Sequence, residues 1–120
     1  MKKTALFIFA AVIGLTMAGC LSMPQTSVRP VVTVVNNTGY TCFYLYLSPS
    51  STDNWEEDVL GNDILENGQS VRVHLSKSLS QENIYDIMMV DEDGDTYTKW
   101  NVQLTENARI LFTMRDFDRK

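Results

Sequence analysis

An all-β domain, a small antiparallel β-sandwich, is the fold that this 120-residue sequence predicts for residues 31–115. Three observations carry that expectation. Short runs rich in β-branched and aromatic residues recur along the chain, at 31–35, 40–47, 71–75, 84–90, 95–102 and 109–114. Clusters of Asn, Asp, Gly, Ser and Pro separate them, as turns require. No stretch after residue 30 carries the sustained 3.6-residue apolar period of a long helix. Runs of this kind bury their apolar sides by stacking two sheets. An immunoglobulin-like layout is one arrangement of such strands, and a small β-barrel is the alternative. With 44% hydrophobic and 21% charged residues, the chain has material for one core and none for a second domain.

The elements follow in order. Val31, Val32, Thr33, Val34 and Val35 form a β-branched strand, and Asn36-Asn37-Thr38-Gly39 reads as the hairpin turn after it. Asn36-Asn37-Thr38 also fits the N-glycosylation pattern, but turn chemistry accounts for it fully. The strand at 40–47 has two largely apolar faces, one with Tyr40, Cys42, Tyr44 and Tyr46, the other with Thr41, Phe43, Leu45 and Leu47. That predicts a central strand with the second face in the core. After a polar loop at 48–54, residues 55–61 predict a helical turn capped by Asp53 or Asn54 and stopped by Gly61. Trp55 would then fold back over the core with Val59 and Leu60.

Ile64-Leu65 predicts a short strand, and Val71, Val73 and Leu75 alternate with Arg72 and His74 as a half-buried one. A polar loop at 76–83 leads to the strand at 84–90. Asp91-Glu92-Asp93-Gly94 turns the chain into 95–102, where Thr98, Trp100 and Val102 are expected on the buried face. The final strand, 109–114, points Ile110, Phe112 and Met114 inward, and 116–120 reads as a charged tail.

The N-terminus has a different character. Lys2 and Lys3 precede an uncharged apolar run from residue 5 to 17, the length of a signal-peptide core and short for a membrane span. The run ends in Met17-Ala18-Gly19-Cys20. This segment resembles the bacterial lipobox, with Met17 where leucine is usual. The resemblance implies a lipoprotein signal peptide at 1–19, a diacylglyceryl group on the Cys20 thiol, and cleavage before Cys20. Each buried methylene contributes about 0.8 kcal/mol, so two or three acyl chains give stable anchoring. Leu21 instead of aspartate after Cys20 favours the outer membrane in a Gram-negative cell. Residues 20–30 form the lipidated cysteine and its tether, reaching at most roughly 33 Å.

Processing would remove both leading lysines, taking the formal net charge from −5 to about −7. An acidic body excludes nucleic acid and basic-patch adhesion to anionic lipid, leaving the lipid itself as the attachment. With Cys20 acylated, Cys42 has no intrachain partner and is expected to be a buried small hydrophobe.

Asn37-Thr38-Gly39-Tyr40, Leu45-Tyr46-Leu47-Ser48-Pro49-Ser50, then Trp55, Asp58, Leu60 and Gly61 form a motif. Tyr85-Asp86-Ile87 and the run from Asp91 to Tyr97 extend it. Together these resemble a family of small secreted bacterial β-sandwich proteins without an assigned activity. Members carry glycine after the tryptophan, where this chain has Glu56. The resemblance implies a shared fold and transfers no functional residues.

Candidate chemistry is sparse. Asp91, Asp93 and Asp95 offer hard oxygens on a turn and could hold calcium, although Gly94 and Val102 break the EF-hand spacing. A solvated hairpin turn explains the same residues. His74 stands alone on a polar strand face, and no nucleophile turn, phosphate loop or Cys-x-x-Cys pair is present, so no enzyme is expected. Tyr40, Tyr44, Tyr46, Trp55 and Trp100 could line a surface for a protein or glycan, or pack at the sandwich margins. The expectation is therefore a lipid-anchored module of the bacterial cell envelope, non-catalytic, with a binding or structural role and no cofactor. The alternatives are a calcium-binding sandwich, and an inhibitor of an envelope or host hydrolase that inserts the 48–54 loop into a cleft.

Overall fold

The computed structural model describes residues 29–119. It contains six strands, β1 (Val31–Asn36), β2 (Cys42–Pro49), β3 (Ser70–His74), β4 (Ile84–Asp91), β5 (Thr96–Gln103) and β6 (Arg109–Phe112), then one 3₁₀ turn at Met114–Asp116. They form two three-stranded sheets, β3-β1-β6 and β2-β4-β5. Val32, Val34 and Phe112 from the first sheet and Leu45, Ile87 and Met89 from the second are fully buried in one shared core. The chain is thus an all-β sandwich, as its alternating strands predict. The lipobox, Cys20 and the tether up to residue 28 lie outside the described residues.

The strands are connected differently from the expected hairpins. Only β4 and β5 join within one sheet; every other connection crosses to the opposite sheet. One consequence is that β1 and β6 pair in parallel, while all other pairs are antiparallel. The Asn36–Gly39 segment is accordingly a corner between sheets. Its centre is the Asn36 side chain, fully buried. Asn36 Nδ2 donates to the carbonyls of Tyr40 (2.7 Å) and Leu65 (2.8 Å), and Oδ1 accepts from Thr38 N (3.1 Å) and Thr38 Oγ1 (2.8 Å). A hairpin and a corner demand the same turn residues, so local sequence cannot separate them.

β2 borders its sheet and is not central. Its outer edge is covered by the 55–65 segment, which forms no helix. Val59 N donates to Leu45 O at 2.8 Å, and Cys42 and Leu65 exchange both backbone bonds. Asp58 explains why the predicted helical turn is displaced. Its Oδ1 accepts from Leu45 N (2.9 Å) and Leu60 N (3.1 Å), tying this segment to the strand edge. That arrangement satisfies an edge that would otherwise offer free donors.

Two β-bulges set which side chains point inward. One, between Cys42 and Tyr44, shifts the alternation so that Cys42, Leu45 and Leu47 all face the core and Phe43 is exposed. The other lies in β5 opposite Tyr85 and Ile87, where Asn101 takes a left-handed φ of 53°. It turns Tyr97 and Val102 to the inner side and leaves Trp100 outside, 62% exposed. The expected burial of Trp100 and Thr98 is therefore reversed, because one residue of register flips every side chain.

At the C-terminus β6 ends at Phe112, and Met114 opens the 3₁₀ turn half exposed, not buried as predicted. Thr113 caps that turn by accepting from Arg115 N, and Asp116 Oδ2 accepts from Thr113 N in return. The predicted charged tail is in fact built into the domain. Phe117 bridges to Tyr97 with ring centroids 5.6 Å apart, and Asp118 Oδ2 accepts from Thr96 Oγ1 and Thr98 Oγ1.

The registers also give the domain two poles. β1 starts where β3 and β2 end and where β4 begins, so the 50–54, 75–83 and 104–108 loops share the pole at which β1 begins. The Asn36 corner and the Asp91–Asp95 hairpin occupy the other.

Cys42 is fully buried, and burial pushes its thiol from the usual 9.0 up to about 12. The unfolded chain would release this proton above about pH 9 while the native state keeps it to about pH 12. Stability is present below that window and falls as pH rises through it, by about 1.4 kcal/mol per pH unit. Burial and the Asp91 hydrogen bond raise the Tyr97 phenol in the same direction. Urea unfolding at a series of alkaline pH values should show this fall, and Cys42→Ala should remove the Cys42 share while leaving that of Tyr97.

Candidate functional site

The outer face of β2-β4-β5 gathers most of the aromatic residues that the sequence singles out. Its rows follow from strand register: Tyr44, Val90 and Thr96 in one, Tyr46, Met88 and Thr98 in the next, then Ser48 and Asp86 beside the β5 bulge. Trp55 arrives from the segment after β2 and lies between two of these side chains. Its ring centroid is 6.2 Å from that of Tyr46 and 5.8 Å from that of Trp100, both tilted. The three rings thus cross the sheet from β2 to β5. Tyr44 (46%) and Trp100 (62%) stay open to solvent while Tyr46 and Trp55 are half-buried. At about 25 cal/mol per Å², leaving most of a tryptophan in water forgoes on the order of 3 kcal/mol. Contiguous exposure of this kind marks interaction surfaces.

Asp86 organises the end of this face at the pole where β1 begins. Its Oδ1 accepts from Asn101 N (2.8 Å), which holds the bulge, and from Ser50 Oγ (2.7 Å), which holds the loop. Ser48 Oγ accepts from Glu56 N at 2.7 Å and sets the path of the chain into Trp55. The 48–54 loop is further fixed by Ser50 N to Ile84 O (2.9 Å) and Thr52 N to Pro49 O (3.0 Å). It therefore hugs the sheet instead of projecting from it. Between this loop and the tryptophans lies a cleft of about 90 Å³, lined by Asp53, Trp55, Asp86 and Trp100 among others.

Of the predicted surface residues, Tyr44, Tyr46 and Trp55 come together here and Trp100 joins them. Tyr40 does not. It sits at the opposite pole, half exposed, in the corner after β1.

The Asp91, Asp93 and Asp95 carboxylates do converge, each offering an oxygen within 4.8 Å of the others. Asp91, however, is 2% exposed and already committed. Its Oδ1 accepts from the backbone of Asp93 (2.9 Å) and Asp95 (3.0 Å), and its Oδ2 accepts from the Tyr97 hydroxyl (2.8 Å). Gly94 supplies the positive φ of 83° that closes the turn. What the sequence presents as three ligands is thus one structural acceptor and two exposed or half-exposed acids. His74 lies in the other sheet, exposed on β3. Among the described residues no helix is long and apolar enough to cross a membrane. No family model, curated protein or solved structure matches the chain, so the functional reading rests on this arrangement of side chains.

Proposed function

We propose that this chain is a bacterial envelope lipoprotein, anchored through lipid on Cys20, whose sandwich binds a partner without catalysis on the aromatic face of β2-β4-β5. The lipobox-like Met17-Ala18-Gly19-Cys20 supports the anchor. The observation that carries the binding half is the Tyr46-Trp55-Trp100 stack, laid across a sheet face with Trp100 62% exposed. Rings immobilised in this way lose little entropy on contact and dominate the energetics of interfaces.

Mass spectrometry of the mature protein tests the anchor: an N-terminal Cys20 with acyl mass is expected, and an unmodified terminus overturns it. For the face, the full chain and its Tyr44→Ala/Trp100→Ala variant are compared for capture from envelope extract. The variant should unfold within a few degrees of the parent, because both side chains are largely solvated, yet lose the partner. Equal capture by both proteins removes the face from the proposal.

Calcium at the Asp91–Asp95 turn is the second reading, favoured by the convergence of its three carboxylates. It ranks lower because a metal would compete with the three donors that Asp91 already accepts. Millimolar calcium should raise the melting temperature if the site is real, and an unchanged melting curve excludes it.

A further inference from the structure

We propose that the cleft between the 48–54 loop and the tryptophan pair is a guanidinium subsite, built to take an arginine side chain from a partner polypeptide. This rests on the β2-β4-β5 face being the binding surface and names the chemistry it selects.

The cleft combines two kinds of group that rarely share so small a space. Two tryptophans, Trp55 and Trp100, and two acids, Asp53 and Asp86, line about 90 Å³ together, with no basic residue in the lining. That volume is far below the several hundred Å³ of a small-molecule site and suits the end of a single side chain. Asp86 spends Oδ1 on Asn101 N and Ser50 Oγ; its Oδ2 has no protein donor among the described residues. A ligand donor is therefore welcome there. The electrostatics agree in sign. Indole faces carry the negative side of the ring quadrupole, the chain has a formal net charge of −5, and Glu56 and Glu57 follow Trp55 directly.

Guanidinium fits these walls better than ammonium does. It is planar, so it can lie on the exposed Trp100 ring, and it presents paired N–H donors to a carboxylate. An ammonium is a strongly hydrated point charge and gives up more water to enter. The other flank of Trp100 reinforces the choice of side, because the depression there is lined by Lys99 and Arg109 and would repel a cation. Each contact at such an open site is modest, so one arginine alone should bind in the millimolar range and act as an anchor within a larger interface.

The chain contains two tryptophans, Trp55 and Trp100, and both line the cleft, so selectively excited tryptophan emission reports on binding at or beside it, and the Asp53 and Asp86 variants assign the signal to the cleft. The full chain in a polyoxyethylene detergent is titrated with blocked Gly-Arg-Gly, with matched lysine and citrulline peptides, and with an N-acetylglucosamine tetramer. The arginine peptide should give a saturable emission change, at least about fivefold tighter than lysine, with no response to citrulline. A tenfold rise in salt should weaken it several-fold. Asp86→Asn should weaken it as well. Because Asp86 also holds the bulge, Asp53→Asn serves as the second variant, expected to lose affinity about threefold with an unchanged melting temperature.

Absence of a saturable change with the arginine peptide overturns the subsite, as does equal binding of lysine or citrulline. A response to the glycan alone also overturns it while leaving the aromatic face as a binding surface. Capture lost in the Tyr44→Ala/Trp100→Ala variant, together with silence from the arginine peptide, separates failure of this inference from failure of the broader reading.

Discussion

Asp91→Ala should lower the unfolding free energy by roughly 3–5 kcal/mol, read as a large drop in the denaturation midpoint. The reason is the number of donors that one carboxylate satisfies at the distal pole. Removing it orphans the backbone N–H groups of Asp93 and Asp95 and the hydroxyl of Tyr97. Water can reach the two turn amides, because Asp93 is exposed and Asp95 half-buried, so their share is partly recovered. Tyr97 is fully buried, and apart from Asp91 its hydroxyl has the Met114 sulfur, at 3.9 Å, and the Thr38 side chain as neighbours, neither of which replaces a carboxylate. An unpaired buried hydroxyl costs about 1–3 kcal/mol. Loss of turn order adds to that, since the Asp91–Asp95 hairpin is the only direct link between strands of one sheet. Small domains hold only about 5–15 kcal/mol in total, so this change consumes much of the margin.

Asp91→Asn provides the internal control. The amide oxygen can still accept from Asp93 N and Asp95 N, and the Tyr97 hydroxyl can rotate to accept from the new NH₂ group. A loss of about 1–2 kcal/mol is expected. Equal losses for Ala and Asn would mean that neither the turn amides nor the side-chain volume contributes, and that the charged carboxylate itself carries the effect.

The residues of this hairpin illustrate what sequence makes legible. Period-two alternation is a local signal, so the strands around Val32, Val73, Ile87 and Ile110 are readable directly. So is the Asp-Gly turn. The bulges are not readable, because an extra residue in β2 or β5 is imposed by what lies across the sheet. Asp86, for instance, captures Asn101 N from the neighbouring strand. The bulge held by that contact separates Val102 from the face of Trp100, which alternation from buried Tyr97 leaves outside.

The segment from Trp55 to Gly61 shows a similar override. Asp53, Asn54 and Gly61 are sound helix signals by local chemistry, yet Asp58 reaches a strand edge that only the fold provides. For the candidate site, the aromatic character of Tyr44, Tyr46 and Trp55 is visible in the sequence. Their meeting with Trp100, and the separation of Tyr40 at the other pole, depend on sheet order. Composition offers a clue for Trp55, which follows a loop of small polar and acidic residues where a buried indole is less expected, but none for Trp100, which lies inside β5.

Asn36→Ala is the other change expected to destabilise the domain strongly, by roughly 3–4 kcal/mol in chemical denaturation. The corner that Asn36 builds carries the chain from one sheet to the other, and three of its four hydrogen bonds are buried, the one to Tyr40 O being partly so. Its Nδ2 serves the carbonyls of Tyr40 and Leu65, and its Oδ1 serves the amide and hydroxyl of Thr38. Alanine leaves Thr38 N unpaired, takes one of two donors from the carbonyls of Leu65 and Tyr40, which keep Cys42 N (2.8 Å) and Thr38 Oγ1 (3.3 Å), and opens a void at a fully buried position.

Asn36→Asp is nearly isosteric and distinguishes packing from donor chemistry. It keeps the acceptor for Thr38 but sets a carboxylate oxygen against two carbonyls, which disfavours the charged form and raises its pKa above the unfolded value of about 3.9. Protonation would restore one donor. The variant should therefore gain stability relative to the parent as pH falls toward that unfolded value, and lose it as pH rises through the raised folded value. A deficit that does not change with pH would show that volume, and not the two donated hydrogen bonds, is what position 36 contributes. With the donors confirmed, the same residue would explain why a turn that resembles a hairpin in sequence instead joins two sheets. Its amide reaches Leu65, 29 residues further along the chain, and ties the corner to the segment that covers the edge of β2.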